Sequence, residues 1–106
     1  MDSCKELAQG RWHTFSLAEQ LANIGSEVGR ARKWQIRDAE HFWNAVERTL
    51  ELFNLTLADK RWAGRKKEIA RLKAVFCDAV LGGEEYKSSL GELEAYFFPF
   101  MLVSRK

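Results

Sequence analysis

The stretch FSLAEQLANIGSEVGRARKW, Phe15–Trp34, decides the fold. At roughly 100° per residue, Leu17, Leu21, Ile24 and Val28 fall within about 60° of one another, the apolar stripe of an amphipathic helix. Ala18, Ala22, Gly25 and Gly29 fall about 100° away and form a ridge of small side chains. A glycine inside a helix costs about 1 kcal/mol relative to alanine, so two of them predict a neighbour that approaches the backbone closely. The helix therefore has one face for bulky neighbours and another for close packing, and two packing partners are implied.

Working outward, periodicity of the same kind recurs three more times, without the strict alternation or β-branched clusters of strands. The fold class is all-α, a four-helix bundle. Asp38 reads as an N-cap and predicts a break at residues 34–38. The stripe crosses this stretch nearly in phase, so one continuous helix over residues 15–57 is the competing reading. The second helix runs to about Leu57 with Ala39, Phe42, Trp43, Val46, Leu50, Phe53 and Leu57 inward. The third begins near Asp59 or Arg61, aligns Trp62, Arg65, Ile69, Leu72, Phe76, Ala79 and Val80, and ends at Gly82 and Gly83. Ser89 and Glu92 form the capping-box pattern S-x-x-E for a fourth helix whose inward line is Leu90, Leu93, Phe97, Phe100 and Met101. Pro99 lacks an N–H and clashes with the preceding turn, which predicts a last helix that kinks or stops near Phe98, kinked or short in either case.

That last segment holds more apolar surface than one face can bury. Tyr96, Phe98, Leu102 and Val103 point away from the inward line, and an exposed patch of this size on a small chain marks an interface. Together with the small-residue ridge, it predicts a homodimeric protein-interaction module. The expected partner-binding residues are Ala18, Ala22, Gly25, Gly29, Arg65, Tyr96, Phe98, Leu102 and Val103. Arg65 joins them because it sits in phase with Ile69, Leu72 and Phe76. A guanidinium on an apolar face must snorkel or meet a carboxylate, and the acidic 84–94 region is the expected source, across a dimer in the sharper version.

Composition bounds these readings. The 106 residues are 46% hydrophobic and 30% charged with one proline, which excludes disordered and low-complexity classes and suits a single domain, residues 1–12 being a loose N-terminal segment. No run of about 18 apolar residues and no apolar stretch after Met1 suggests a membrane helix or a signal peptide, so a cytoplasmic location is expected. Cys4 and Cys77 lack zinc-site spacing; Cys77, in VFCDAV, reads as a small buried hydrophobe. The net charge of +2 is small, but seven cations lie between Lys60 and Lys73 and four acids between Glu84 and Glu94.

The block ANIGSEVGRARKW, Ala22–Trp34, followed by AVERTLELFNLTLAD, Ala45–Asp59, resembles a small family of uncharacterised bacterial and archaeal helical proteins. Members share an ANIGSEV-x-RA-x-x-W segment and a FERALEL-x-x-LT-like second helix. The resemblance covers about half the chain and implies a short polar turn after the tryptophan. It implies no activity.

Chemistry-bearing residues are few. Arg37 and His41, in R-D-A-E-H, resemble the arginine and histidine pair of HEPN-type ribonucleases, in which arginine would stabilise phosphate charge while histidine moves a proton. The separation of three residues is shorter than that family's four to six. On helical phase both lie opposite Val46 and Leu50, with Asn44 and Arg48 on the same outer face. An RNA-binding or ribonuclease function using Arg37 and His41 is thus the alternative reading. Asp38-x-x-His41 matches half of a di-metal motif but faces outward, and His13 has no second ligand at metal spacing, so no metal and no cofactor are expected. Basic clusters interleaved with Trp12, Trp34, Trp43 and Trp62 invite nucleic acid, but their helical phases form no continuous stripe.

Overall fold

The computed structural model describes residues 11–83 and 85–104, a bundle of four helices: α1 (Leu17–Trp34), α2 (Ala39–Ala58), α3 (Lys66–Val80) and α4 (Leu90–Ser104). Short 3-10 segments precede α1 (Arg11–Thr14) and α3 (Lys60–Arg65). Helix α1 is central and packs most extensively against α4 and α2, while α3 closes the core beside α2. Phe53 of α2 sits between Phe76 of α3 and Phe97 of α4, with ring centroids 6.1 and 6.4 Å away. These three rings, with Leu21, Ile24, Val28, Ile69, Leu90 and Leu93, form one continuous core.

Local chemistry sets the helix ends. Ser16 and Glu19 make a reciprocal capping box at α1: the Glu19 N–H donates to Ser16 Oγ at 3.1 Å, and the Ser16 N–H donates to Glu19 Oε1 at 2.8 Å. Asp38 caps α2 through the N–H groups of Glu40 and His41, so residues 15–57 form two helices. Gly82 and Gly83 end α3 with φ of 118° and 72°, a region that side chains disfavour. Ser89 and Glu92 repeat the capping box at α4.

Three expectations need correction. In α2 the buried line is Phe42, Ala45, Val46, Thr49, Leu52, Phe53 and Thr56, so Ala39 is exposed and Trp43 is 52% exposed. The small positions Ala45, Thr49 and Thr56 take the inward place because α1 and α3 both lie against this helix. Arg65 does not lie on the apolar face: Lys60–Arg65 is 3-10, with about three residues per turn, so phase counted at 100° fails there. Helix α4 does not end at Phe98 but runs through Pro99 to Ser104. Ala95, whose carbonyl would have received the missing N–H, is exposed to water, which reduces the cost. Of the expected loose segment, residues 1–10, Cys4 among them, lie outside the described residues, and at its end Trp12 is fully buried in the Arg11–Thr14 turn. Cys77 is half-buried.

A buried polar knot holds the N-terminal turn in place. Gln20, with no exposed surface, donates to the Trp12 carbonyl at 3.0 Å and to Asp59 Oδ2 at 3.1 Å, and accepts from Trp62 Nε1 at 3.0 Å. Asp59, 3% exposed, also accepts from the Arg61 backbone N–H, Nε and Nη2. Arg61 Nη2 donates as well to the Phe15 carbonyl at 2.8 Å. The Arg61 side chain beside it holds the Asp59 carboxyl well below the usual carboxylate range.

Candidate functional site

Two surfaces stand out, on different helices. The first is the outer face of α4. Leu90, Leu93 and Phe97 are buried, while Tyr96, Phe98 and Leu102 are 44%, 55% and 48% exposed. From Ala95 to Val103 the sequence has no charged residue, so the exposed arc of Ala95, Tyr96, Phe98, Pro99 and Leu102 is as apolar as the buried one. Helices apolar all round are normally buried on every side. The side chains of Met101 and Val103 lie outside the described residues.

The small-residue ridge is turned toward the chain's own α4. Ala22 and Gly25 are buried and Ala18 is half-buried. A Cβ on Gly29 would stand 2.6 Å from Glu94 Oε2, and Glu94 Oε1 accepts from Arg32 Nε. Gly91 of α4 lies against the Arg32 side chain. At Gly29 the neighbour is thus the Glu94 side chain of the same subunit. Arg65 pairs with Glu68, Nη2 to Oε1 at 2.9 Å and Nε to Oε2 at 3.1 Å, with both side chains about half-exposed. It does not reach the acidic 84–94 region, of which Glu84 lies outside the described residues.

The second surface is a cleft of about 270 Å3 between α1 and α2, lined by Glu27, Arg30, Trp34, His41, Asn44, Ala45 and Arg48. His41 stacks on Trp34 with centroids 4.6 Å apart, and its Nδ1 lies 2.9 Å from Asp38 Oδ2. The hydrogen bonds from the His41 side chain and backbone hold the Asp38 carboxyl below its ordinary value. Glu27 Oε1 accepts from Arg30 Nη1 at 3.2 Å, and the Glu27 side chain is 12% exposed. Arg37 lies in the turn between α1 and α2, exposed, and does not line the cleft. Helical phase on α2 alone found His41, Asn44 and Arg48. It did not find the contribution of α1, because Glu27, Arg30 and Trp34 meet them only through tertiary packing. Arg30 at i+3 from Glu27 and Trp34 at i+7 were the available signals.

His13 approaches Asp59 Oδ2 at 3.6 Å and belongs to the polar knot. Among the described residues, no helix is long and apolar enough to cross a membrane. No family model, curated protein or solved structure matches the chain.

Proposed function

We propose that this chain is a homodimeric protein-interaction module whose self-recognition surface is the outer face of α4. The observation that carries the reading is the exposure of Tyr96, Phe98 and Leu102 on a helix without charge from Ala95 to Val103. Burial of apolar area drives association, and a two-fold contact sets the same patch against itself. An uncharged face meets that condition without bringing like charges together. Since Ala22 and Gly25 are buried, Ala18 is half-buried, Gly29 meets Glu94 of the same subunit and Arg65 pairs with Glu68, the partner surface on this reading is α4. The module is cytoplasmic on this reading, a reducing compartment in which Cys77 remains a free thiol, and it works without a cofactor.

Sedimentation velocity over a concentration series up to about 100 μM tests the proposal, since self-association shifts by mass action. The wild type is expected to sediment at twice 12.3 kDa, and the double variant Phe98→Glu with Leu102→Glu as a monomer with unchanged helical circular dichroism. A wild type that stays monomeric throughout overturns it.

A further inference from the structure

The cleft between α1 and α2 lies on another side of α1 from the ridge that receives α4. At about 100° per residue, Glu27, Arg30 and Trp34 centre roughly 150° round α1 from Gly25 and Gly29. On α1 the lining residues stand at i, i+3 and i+7, and on α2 His41, Asn44 and Arg48 repeat the same spacing. Two helical stripes, polar apart from Trp34 and Ala45, therefore face one another across about 270 Å3 of space. This is near the lower end of ligand-pocket sizes, roughly 300 to 1,000 Å3, and suits a small polar group better than a large apolar ligand.

The lining is rich in donors. Arg30 and Arg48 contribute guanidinium groups, Asn44 an amide and His41 an imidazole. Asp38 occupies Nδ1 of His41, which leaves Nε2 as the ring nitrogen for a ligand, and the stacked Trp34 ring fixes the imidazole plane. The one carboxylate in the lining, Glu27, is largely buried: its Oε1 accepts from Arg30 and orients that guanidinium, while its buried Oε2 has no hydrogen-bond partner and would face the ligand only through a bridging donor or a proton. Lys33 Nζ sits 5.0 Å from the Trp34 ring centroid and adds positive charge close by. The Arg30 and Arg48 guanidiniums with the Lys33 ammonium stand against the carboxylates of Glu27 and Asp38, which leaves one positive charge in excess around the cleft. Arginine forks match tetrahedral oxyanions through paired N–H groups.

We propose that this cleft binds a phosphate group, held by Arg48 and Arg30 with Asn44 and His41 as further donors. The site is independent of the α4 surface and survives if the chain is monomeric. A phosphate of this kind is carried by a small phosphorylated molecule or by an RNA backbone, and the two sources are separable by titration.

The experiment follows backbone amide and arginine Nε resonances of the full chain by NMR as inorganic phosphate, adenosine monophosphate and a single-stranded RNA oligonucleotide are added in turn. Saturable shifts confined to residues 27–48 support the site. Saturation by the mononucleotide assigns the small-molecule source, whereas saturation by the oligonucleotide alone assigns RNA. Arg48→Gln is expected to weaken the effective ligand about tenfold, the loss of one charge-assisted hydrogen bond, while retaining the fold. Arg30→Gln is the second variant, should Arg48 prove necessary for folding. Shifts that do not saturate, shifts centred on Lys66 and Lys67 of α3, or affinity unchanged in both variants would overturn the proposal.

Discussion

Replacing Asp59 by alanine should unfold this protein more effectively than any comparable change at an exposed acid. The carboxylate is 3% exposed and accepts four hydrogen bonds, of which three come from Arg61 two residues away. The fourth, from Gln20 Nε2, ties positions 39 residues apart. In Asp59→Ala, Gln20 keeps the Trp12 carbonyl but loses its bond to a charged acceptor, worth about 1.5 to 3 kcal/mol. The 3-10 segment leading into α3 also loses its cap, worth about 1 kcal/mol. A total loss of about 2.5 to 4 kcal/mol is large against the roughly 5 to 15 kcal/mol typical of a domain. It corresponds to a fall in Tm of about 10 to 30 °C at about 4 to 8 °C per kcal/mol. Asp59→Asn retains an oxygen for Gln20 and should lose about half as much. Urea unfolding at fixed protein concentration, followed by circular dichroism and tryptophan fluorescence, reads both values. A loss below about 1 kcal/mol for the alanine variant refutes the reasoning. The pH dependence has a definite sign. Since folding depresses the Asp59 pKa from an unfolded value of about 3.9, its contribution is complete above that pH and fades as pH falls below it. The gap between wild type and Asp59→Asn should therefore hold constant from neutrality to about pH 5 and narrow under stronger acid.

Gly29→Ala is expected to leave stability within about 1 kcal/mol of wild type, on the stabilising side, because helix propensity gains about 1 kcal/mol and only the flexible end of Glu94 must move. The exposed Arg32 pair that shifts with it is worth little, so a loss above about 2 kcal/mol in urea unfolding would contradict this account of the α1–α4 contact. Gly83→Ala should behave oppositely, since φ is 72° and the new Cβ would stand 2.7 Å from the Ser88 backbone oxygen. The left-handed conformation alone costs about 1 to 2 kcal/mol, and thermal unfolding of Gly83→Ala at or above the wild-type Tm would show that the turn can rearrange freely.

The legible parts of this molecule are those set by neighbours within a turn or two. Ser16 with Glu19, Asp38, the Gly82–Gly83 pair and Ser89 with Glu92 bound their helices through contacts at most a few residues apart. Trp43 was misplaced because hydrophobicity says that a side chain favours burial, while the helices on either side decide which arc receives it. Helix α2 lies against both α1 and α3, and the small residues Ala45, Thr49 and Thr56 lie on the buried arc while the larger indole stays outside. Arg65 failed for a different reason, a change of helical pitch at Lys60–Arg65 that periodicity at 100° does not register. The Gln20–Asp59 knot was invisible because neither residue type signals burial and their contact closes a long loop.

The sides of α1 connect these observations to function. The Leu21, Ile24 and Val28 stripe enters the core, Gly29 meets Glu94 of α4, and Glu27, Arg30 and Trp34 form one wall of the polar cleft. A central helix committed in this way has little free surface for a partner, so the ridge that first suggested self-association instead meets α4 of its own subunit at Gly29. At Gly29 the Glu94 side chain of α4 lies over α1, while Leu93 and Phe97 on the same helix are buried and Phe98 and Leu102 face outward. A bulky substitution such as Gly29→Leu cannot keep that arrangement, because its side chain would meet Glu94 beyond a Cβ already 2.6 Å from Oε2. Loss of dimer in that variant, with the phosphate titration of the cleft unchanged, is the expected outcome. Simultaneous loss of both would show that α1 couples the two surfaces.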